Sequence, residues 1–278
     1  MDMAECTLDG ETYLARDFAR LDPGAIAEKR RHLICVHAAC RGRAFYRGRT
    51  RDGKAPCFGS NEHTAECELT GPVSRVAPGA DPITREELVN LGACVQILLG
   101  PREGEDEVHL DTDLPGGLRP SARHTALGPD GPRRALSRRK LLTVLRNLVH
   151  VDRFGRSAIE IRVDGFPVLP ARRFFVRFAD VDPVGHLAQP RGYWGTVVDA
   201  RSRGRSDHLW LNSGGPEAVS VKIPASEKER VLRQHGVAEL EELAGSWAIA
   251  LGRLEILPSG KQLVVVGAAT EVAVLRTA

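Results

Sequence analysis

No apolar run in this 278-residue chain reaches the roughly 20 residues that a membrane-spanning helix needs. The opening Met-Asp-Met-Ala-Glu-Cys lacks the basic-then-apolar pattern of a secretory leader. The expected setting is therefore cytoplasmic, with no membrane partner. Lysine is scarce, at six of 39 basic residues, so arginine carries the positive charge, and its planar fork suits phosphate. Neither sign of charge dominates, because 36 acidic residues leave a net of +3. Any basic surface must be local.

Several catalytic signatures are also missing. There is no Gly-x4-Gly-Lys-Ser/Thr phosphate loop and no Gly-x-Ser-x-Gly nucleophile elbow. The paired His-x-Glu and Pro-Cys-x-x-Cys elements of zinc deaminases are absent, although Pro56-Cys57 occurs. A metal-dependent nuclease needs grouped carboxylates, usually with a lysine. His109, Asp111 and Asp113 alternate without a nearby lysine, and Glu160-Ile161-Arg162 ends in arginine. These absences favour a non-enzymatic protein, with a metal-dependent nuclease as the alternative. No internal repeat or low-complexity segment is present.

The length suits two or three domains, each with a buried core. Residues 71–81 are rich in proline, glycine and alanine and read as a linker. The expectation is an α+β chain in three parts: a zinc-binding module over 1–75, a small α/β middle region over 76–185, and a barrel domain over 186–278.

Six cysteines without a secretory leader argue against a disulfide framework, and four of them fall between Cys35 and Cys67. Cys35 and Cys40 lie near one turn. A short strand at 44–46 and a charged turn at 51–54 follow, and then Cys57, His63 and Cys67. Such donors can converge on one tetrahedral zinc ion. The expected ligands are Cys35, Cys40, His63 and Cys67, with Cys57 as the substitute for one of them and His37 pointing away. Residues 10–69 also resemble the N-terminal region of CoiA-like competence proteins. That region has a strand and short helix, a paired-cysteine turn, a basic strand, a His-Phe-Ala-His-like segment and a final cysteine. Cys57-Phe58-Gly59 and His63 stand where the His-Phe-Ala-His element would fall. The cysteine spacing here is longer, Cys57 replaces a histidine, and three residues intrude before His63. The resemblance implies a DNA-processing setting. It does not carry over a nuclease, because the rest of that family's chain has no counterpart here.

In the middle region, Ser137 reads as the cap of a helix. Leu141, Leu142, Leu145, Leu148 and Val149 form its apolar stripe, and Arg138, Arg139, Lys140 and Arg146 its wet face. With Arg133 and Arg134 this is a basic concentration that could meet a phosphate backbone, and Arg138 and Arg139 are taken as candidate contacts. Strands are expected at 159–163 and 173–178.

The last quarter reads as strands at 193–200, 208–212 and 218–223, a helix from about Glu227 to Leu243 capped by Ser226 and broken near Gly236, and strands at 246–256 and 262–266. Val219, Val221 and Ile223 alternate with Ser220 and Lys222. Three strands, a helix and two strands resemble the OB-fold, a five-stranded Greek-key barrel that binds oligonucleotides or oligosaccharides on strands 2 and 3 and the adjoining loops. On strand 2, Leu209 and Leu211 would face inward, leaving His208, Trp210 and Asn212 outward. Arg201, Arg203 and Arg205 on the first loop, Lys222, Arg253 and Lys261 would share that surface. Cations with an exposed ring suit single-stranded nucleic acid. The expected function is an accessory protein that binds single-stranded DNA in a defence, repair or uptake system. A scaffold docking onto a larger protein complex is the other alternative.

Overall fold

The computed structural model describes residues 1–49, 55–64, 66–69, 94–100, 136–151, 153–202 and 207–276. The expected turn at 51–54, the linker at 71–81, the trio His109, Asp111 and Asp113, the pair Arg133 and Arg134, and loop residues Arg203 and Arg205 lie outside them. Within them the chain mixes short helices with larger sheets. Among the described residues no helix is long and apolar enough to cross a membrane.

Strands β1 (Met3–Cys6), β2 (Thr12–Leu14) and β3 (Leu33–Ile34) form a sheet in the order β2-β1-β3. Helices α1 (Ala15–Phe18) and α2 (Pro23–Lys29) lie between β2 and β3. Asp22 caps the start of α2. The Asp22 carboxylate accepts the Gly24 N–H at 2.7 Å, and Pro23 fills the first helical position, where an N–H has no partner. Strands β4 (Phe45–Arg47) and β5 (Cys57–Gly59) pair antiparallel. Phe18, Tyr46 and Phe58 fill the small core beneath, with ring centroids 4.8, 5.4 and 5.6 Å apart. Truncating one such ring to alanine costs about 3–5 kcal/mol.

A second sheet contains β6 (Cys94–Leu98), β7 (Leu136–Lys140), β8 (Glu160–Arg162) and β9 (Leu169–Pro170), in the order β7-β6-β8-β9. The helix expected to start at Ser137 starts instead at Leu141, as α3 (Leu141–His150). The preceding five residues pair in parallel with β6, from Cys94 opposite Leu136 to Leu98 opposite Lys140. That long-range ladder overrides the local helical reading. Arg138, Arg139 and Lys140 therefore stand on a strand. The apolar stripe is as expected, since Leu141, Val144, Leu145 and Leu148 are buried and Leu142 and Val149 pack against them.

The expected strand at 173–178 divides into α4 (Ala171–Phe174), β10 (Phe175–Arg177) and a 3-10 turn at Phe178–Asp180. The last sheet contains β10, β11 (Pro190–Thr196), β12 (Asp199–Ser202), β13 (Leu209–Asn212), β14 (Ser220–Ile223), β15 (Trp247–Ile256) and β16 (Gln262–Val265). Their order is β10-β11-β15-β16-β14-β13-β12, and β17 (Val272–Leu275) adds to β15 off this path. β14 and β16 run parallel, whereas the pairs β11–β15, β15–β16, β13–β14 and β12–β13 are antiparallel. β11 and β12 are consecutive in the chain, parted by Val197 and Val198. The Val197 N–H donates to the Ser246 carbonyl and the Val198 N–H to the Asn212 carbonyl, both at 2.8 Å. One bent segment thus serves both flanks. Tyr193, Leu209, Leu211, Val221, Leu254 and Val264 meet in a single core, completed by Val231, Val237 and Leu243. Val231 belongs to α5 (Ala225–Gln234), which starts after Pro224, so Ser226 lies inside the helix and does not cap it.

The opposite side of β11 and β15 packs on α3. Trp194, Ile249 and Leu251 share a core with Val95, Leu145, Ile161 and Phe174. The boundary drawn at residue 185 therefore crosses a shared core, and β10 continues the middle region into the last sheet by pairing with β11.

Candidate metal centre and the outer face of the last sheet

Two loops build the metal site. In the first, the Cys35 N–H donates to the Gly42 carbonyl at 2.8 Å, closing a knuckle in which Cys40 N–H reaches the His37 carbonyl at 2.9 Å. In the second, Cys67 N–H donates to the Thr64 carbonyl at 3.1 Å. Gly42 lets the loops meet, because a Cβ there would lie 2.2 Å from the Glu62 carbonyl oxygen. The ligand atoms of Cys35, Cys40, His63 and Cys67 lie within 4.8 Å of one another. Cys57, the substitute ligand expected from the sequence, is not in this group.

The geometry and chemistry of the cluster could hold a metal ion. A tetrahedral ion bonded to sulfur at about 2.3 Å holds its sulfurs about 3.8 Å apart. The Sγ atoms of Cys35 and Cys67 are 3.8 Å apart, and Cys40 Sγ is 3.3 Å from His63 Nδ1. A disulfide would need sulfurs at about 2.0 Å, and all three thiols are free. Burial pushes the Cys35 thiol up to about 11, a cost that a bound cation would offset. Burial also opposes ionisation of Cys40. The N–H groups of Thr64 and Gly42, with His63 and Cys67, outweigh it and bring that thiol down to about 6. Four protein donors fill a tetrahedron and leave no open position for catalysis.

The outer face of the last sheet divides into two rows. In the first, Asp199 stands opposite Asn212, Asn212 opposite Ser220, and Ser220 opposite Leu263. All four are buried although they lie outside the core of Tyr193, Leu209, Leu211 and Val221. Arg30 and Arg31 of the N-terminal module close over the Asp199 end of this row. The Asp199 carboxylate receives Arg31 at 3.1 Å, Arg30 at 3.5 Å and Arg201 at 2.6 Å, and Asn212 donates to it at 3.2 Å. Arg30 also pairs with Glu241 at 2.8 Å and donates to the Tyr46 carbonyl at 2.9 Å. Asn61 donates to the Gly245 carbonyl at 2.9 Å.

The second row is in register across five strands: Arg201, Trp210, Lys222, Val265 and Arg253. Trp210 and Lys222 are half-buried and Arg253 is exposed. The alternation expected on β13 is present, with Leu209 and Leu211 in the core and Trp210 outward. Three assignments need correction. Arg201 is committed to Asp199 and to the Ala27 carbonyl, so it holds the module in place. Asn212 is buried rather than exposed. Lys261 is tied to the carbonyls of Gly215 at 3.2 Å and Ala218 at 2.5 Å. His208 lies beside the row, accepting the Ala225 N–H at 3.2 Å. Arg138 and Arg139 belong to the separate sheet of β7 and do not join this face. Sequence reasoning missed Asp199 and Arg30, for which no local signal exists.

The chain matches no family model and no curated protein.

Proposed function

We propose that this protein is a non-catalytic accessory factor that binds single-stranded nucleic acid, most naturally DNA, through its last domain. In this reading the domain is an OB-fold, and a structural zinc ion shapes the N-terminal module. The strand order supports the barrel. Treating β11 and β12 as one bent strand gives neighbours 1-2-3-5-4-1, with strand 3 parallel to strand 5 and α5 between strands 3 and 4. Three cysteines and one histidine are a common donor set for structural zinc. The resemblance of residues 10–69 to CoiA-like proteins points to a DNA-processing setting.

One observation carries the proposal: the in-register row of Trp210, Lys222 and Arg253 beside the docked module. The ring at one end offers a stacking surface, and both cations lie to the same side of it, Lys222 on the adjacent strand and Arg253 two strands further, where a single strand crossing the sheet would bring its phosphates. Base stacking is worth about 1–3 kcal/mol per base by alanine substitution. Trp210→Ala should therefore weaken binding of a fluorescein-labelled oligo-dT by roughly tenfold to a hundredfold at low salt. Each phosphate contact contributes about −0.7 to the slope of log affinity against log salt on single strands. Combining Lys222→Gln with Arg253→Gln should flatten that slope by about 1.4. Absence of oligonucleotide binding at low salt, or full affinity in Trp210→Ala, would overturn this reading.

A further inference from the structure

A second concentration of positive charge lies where the N-terminal module meets the 213–218 loop between β13 and β14. Lys261 reaches this loop from the β15–β16 turn and holds two of its carbonyls. Arg43 donates to the Ser213 carbonyl, and its guanidinium lies against Gly214, where an added Cβ would come within 3.0 Å of it. His32 lies against Gly215, where an added Cβ would be 2.8 Å from the imidazole. Two adjacent glycines thus let basic side chains close on the backbone. Arg31 completes the group and shares its one carboxylate, Asp199, with Arg30 and Arg201. Among the described residues no carboxylate lies within ion-pair distance of Arg43 or Lys261 (the exposed Glu217 acts on Lys261 only through space, against the opposing Arg31 and Arg43).

We propose that Arg31, His32, Arg43 and Lys261, arranged around the 213–218 loop, form a binding site for a phosphate dianion, free or at the end of an oligonucleotide. Half-buried Arg43 and Lys261 have no carboxylate at ion-pair distance among the described residues, a costly arrangement that a dianion would answer for both at once. Burial, with Arg31 and Arg43 nearby, brings the Lys261 ammonium down to about 8, the response expected when the compensating charge is missing. Two arginine forks and one ammonium point charge suit phosphate better than a singly charged carboxylate. The site is separate from the Trp210 row and does not depend on it.

The test is thermal unfolding of the full chain at pH 7, titrated with inorganic phosphate against sodium chloride of equal ionic strength. Phosphate at a hundredfold excess over its Kd should raise the Tm by roughly 5–10 °C and then saturate. Lys261→Gln and Arg43→Gln should each remove most of this rise. Lys261→Arg, which keeps the charge, should retain it and guards against a general folding defect. Trp210→Ala should retain it too. The ligand's source is read by comparing 5′-phosphorylated and 5′-hydroxyl oligonucleotides of one sequence. At least tenfold tighter binding of the phosphorylated form, abolished by Lys261→Gln, identifies the terminal phosphate. Equal binding alongside a saturating phosphate response identifies the free ion. If phosphate shifts the Tm no more than chloride does, the site is overturned even where oligonucleotides still bind. If phosphate stabilises but no oligonucleotide binds, the site stands and the Trp210 reading falls.

Discussion

Asp199 shows how much one side chain can hold. It is 1 % exposed and receives three guanidinium groups, two of them from residues about 170 positions earlier. Deleting one partner of a buried ion pair strands the others, typically at about 3–5 kcal/mol. Asp199→Ala should therefore lower the urea midpoint sharply, and Asp199→Asn should recover only part of the loss. Lys261 makes the converse prediction, about pH. Its folded pKa of about 8 lies below the ordinary 10.5. Below about pH 8 both states hold the proton, and the folded state bears the full cost of an uncompensated cation. Between about 8 and 10.5 the folded state releases it first, so this residue's contribution to stability rises with pH. Compared with Lys261→Met in phosphate-free buffer, the wild type should gain stability from pH 7 to 10, and saturating phosphate should suppress the gain. Neither role was legible in the sequence. Asp199 and Lys261 are ordinary strand-end and turn residues until the N-terminal module is laid over them. The Cys/His cluster that could hold a metal was legible because three of its four members are cysteines, whose chemistry is narrow, and all lie within one short stretch.

Elements declared themselves where a local pattern coincided with a local cause. Val219, Val221 and Ile223 alternate because β14 has one face in the core, and Leu209 and Leu211 do so on β13. The start of α2 follows from Asp22 and Pro23. Residues 136–140 misled because their partner, β6, is distant in sequence, and a parallel ladder leaves no mark on the strand that joins it. The turn before β15 is specified by contact as well as conformation. Gly245 has φ +80°, its carbonyl accepts Asn61, and a Cβ on it would lie 2.3 Å from the Phe45 ring. Gly245→Ala combines a left-handed backbone penalty with overpacking, together roughly 2–4 kcal/mol. The damage should concentrate on the docking of residues 1–69. Limited proteolysis should release fragments from that region before the last sheet is cut, and uniform protection would argue that Phe45 simply rotates aside.

At the scale of the whole molecule, the Cys/His cluster, the module and the sheet face form one mechanical chain. A metal held by Cys35, Cys40, His63 and Cys67 would fix the 35–42 knuckle against the loop that carries His63 and Cys67. Asn61 in the second loop holds Gly245, Arg43 beyond the knuckle holds Ser213, and Arg30 and Arg31 before it hold Asp199. A module of this size has too small a core to stay ordered without a staple, and structural zinc can supply roughly 10–16 kcal/mol in isolated fingers. Elemental analysis should give about one zinc per chain, lost in Cys40→Ser and Cys67→Ser and kept in Cys57→Ser and Cys94→Ser. Chelation should then do more than unfold the first 69 residues. Uncovering the Asp199 end of the buried row should speed amide exchange along β12, β13 and β14, while β6, β8 and α3, which share a different core, should keep their protection. The two cores thus provide an internal control. Exchange that rises equally in both would mean global destabilisation, and exchange confined to the module would mean that the sheet face does not depend on its cover. Only selective loss over β12 to β14 fits a metal that acts through the docked module.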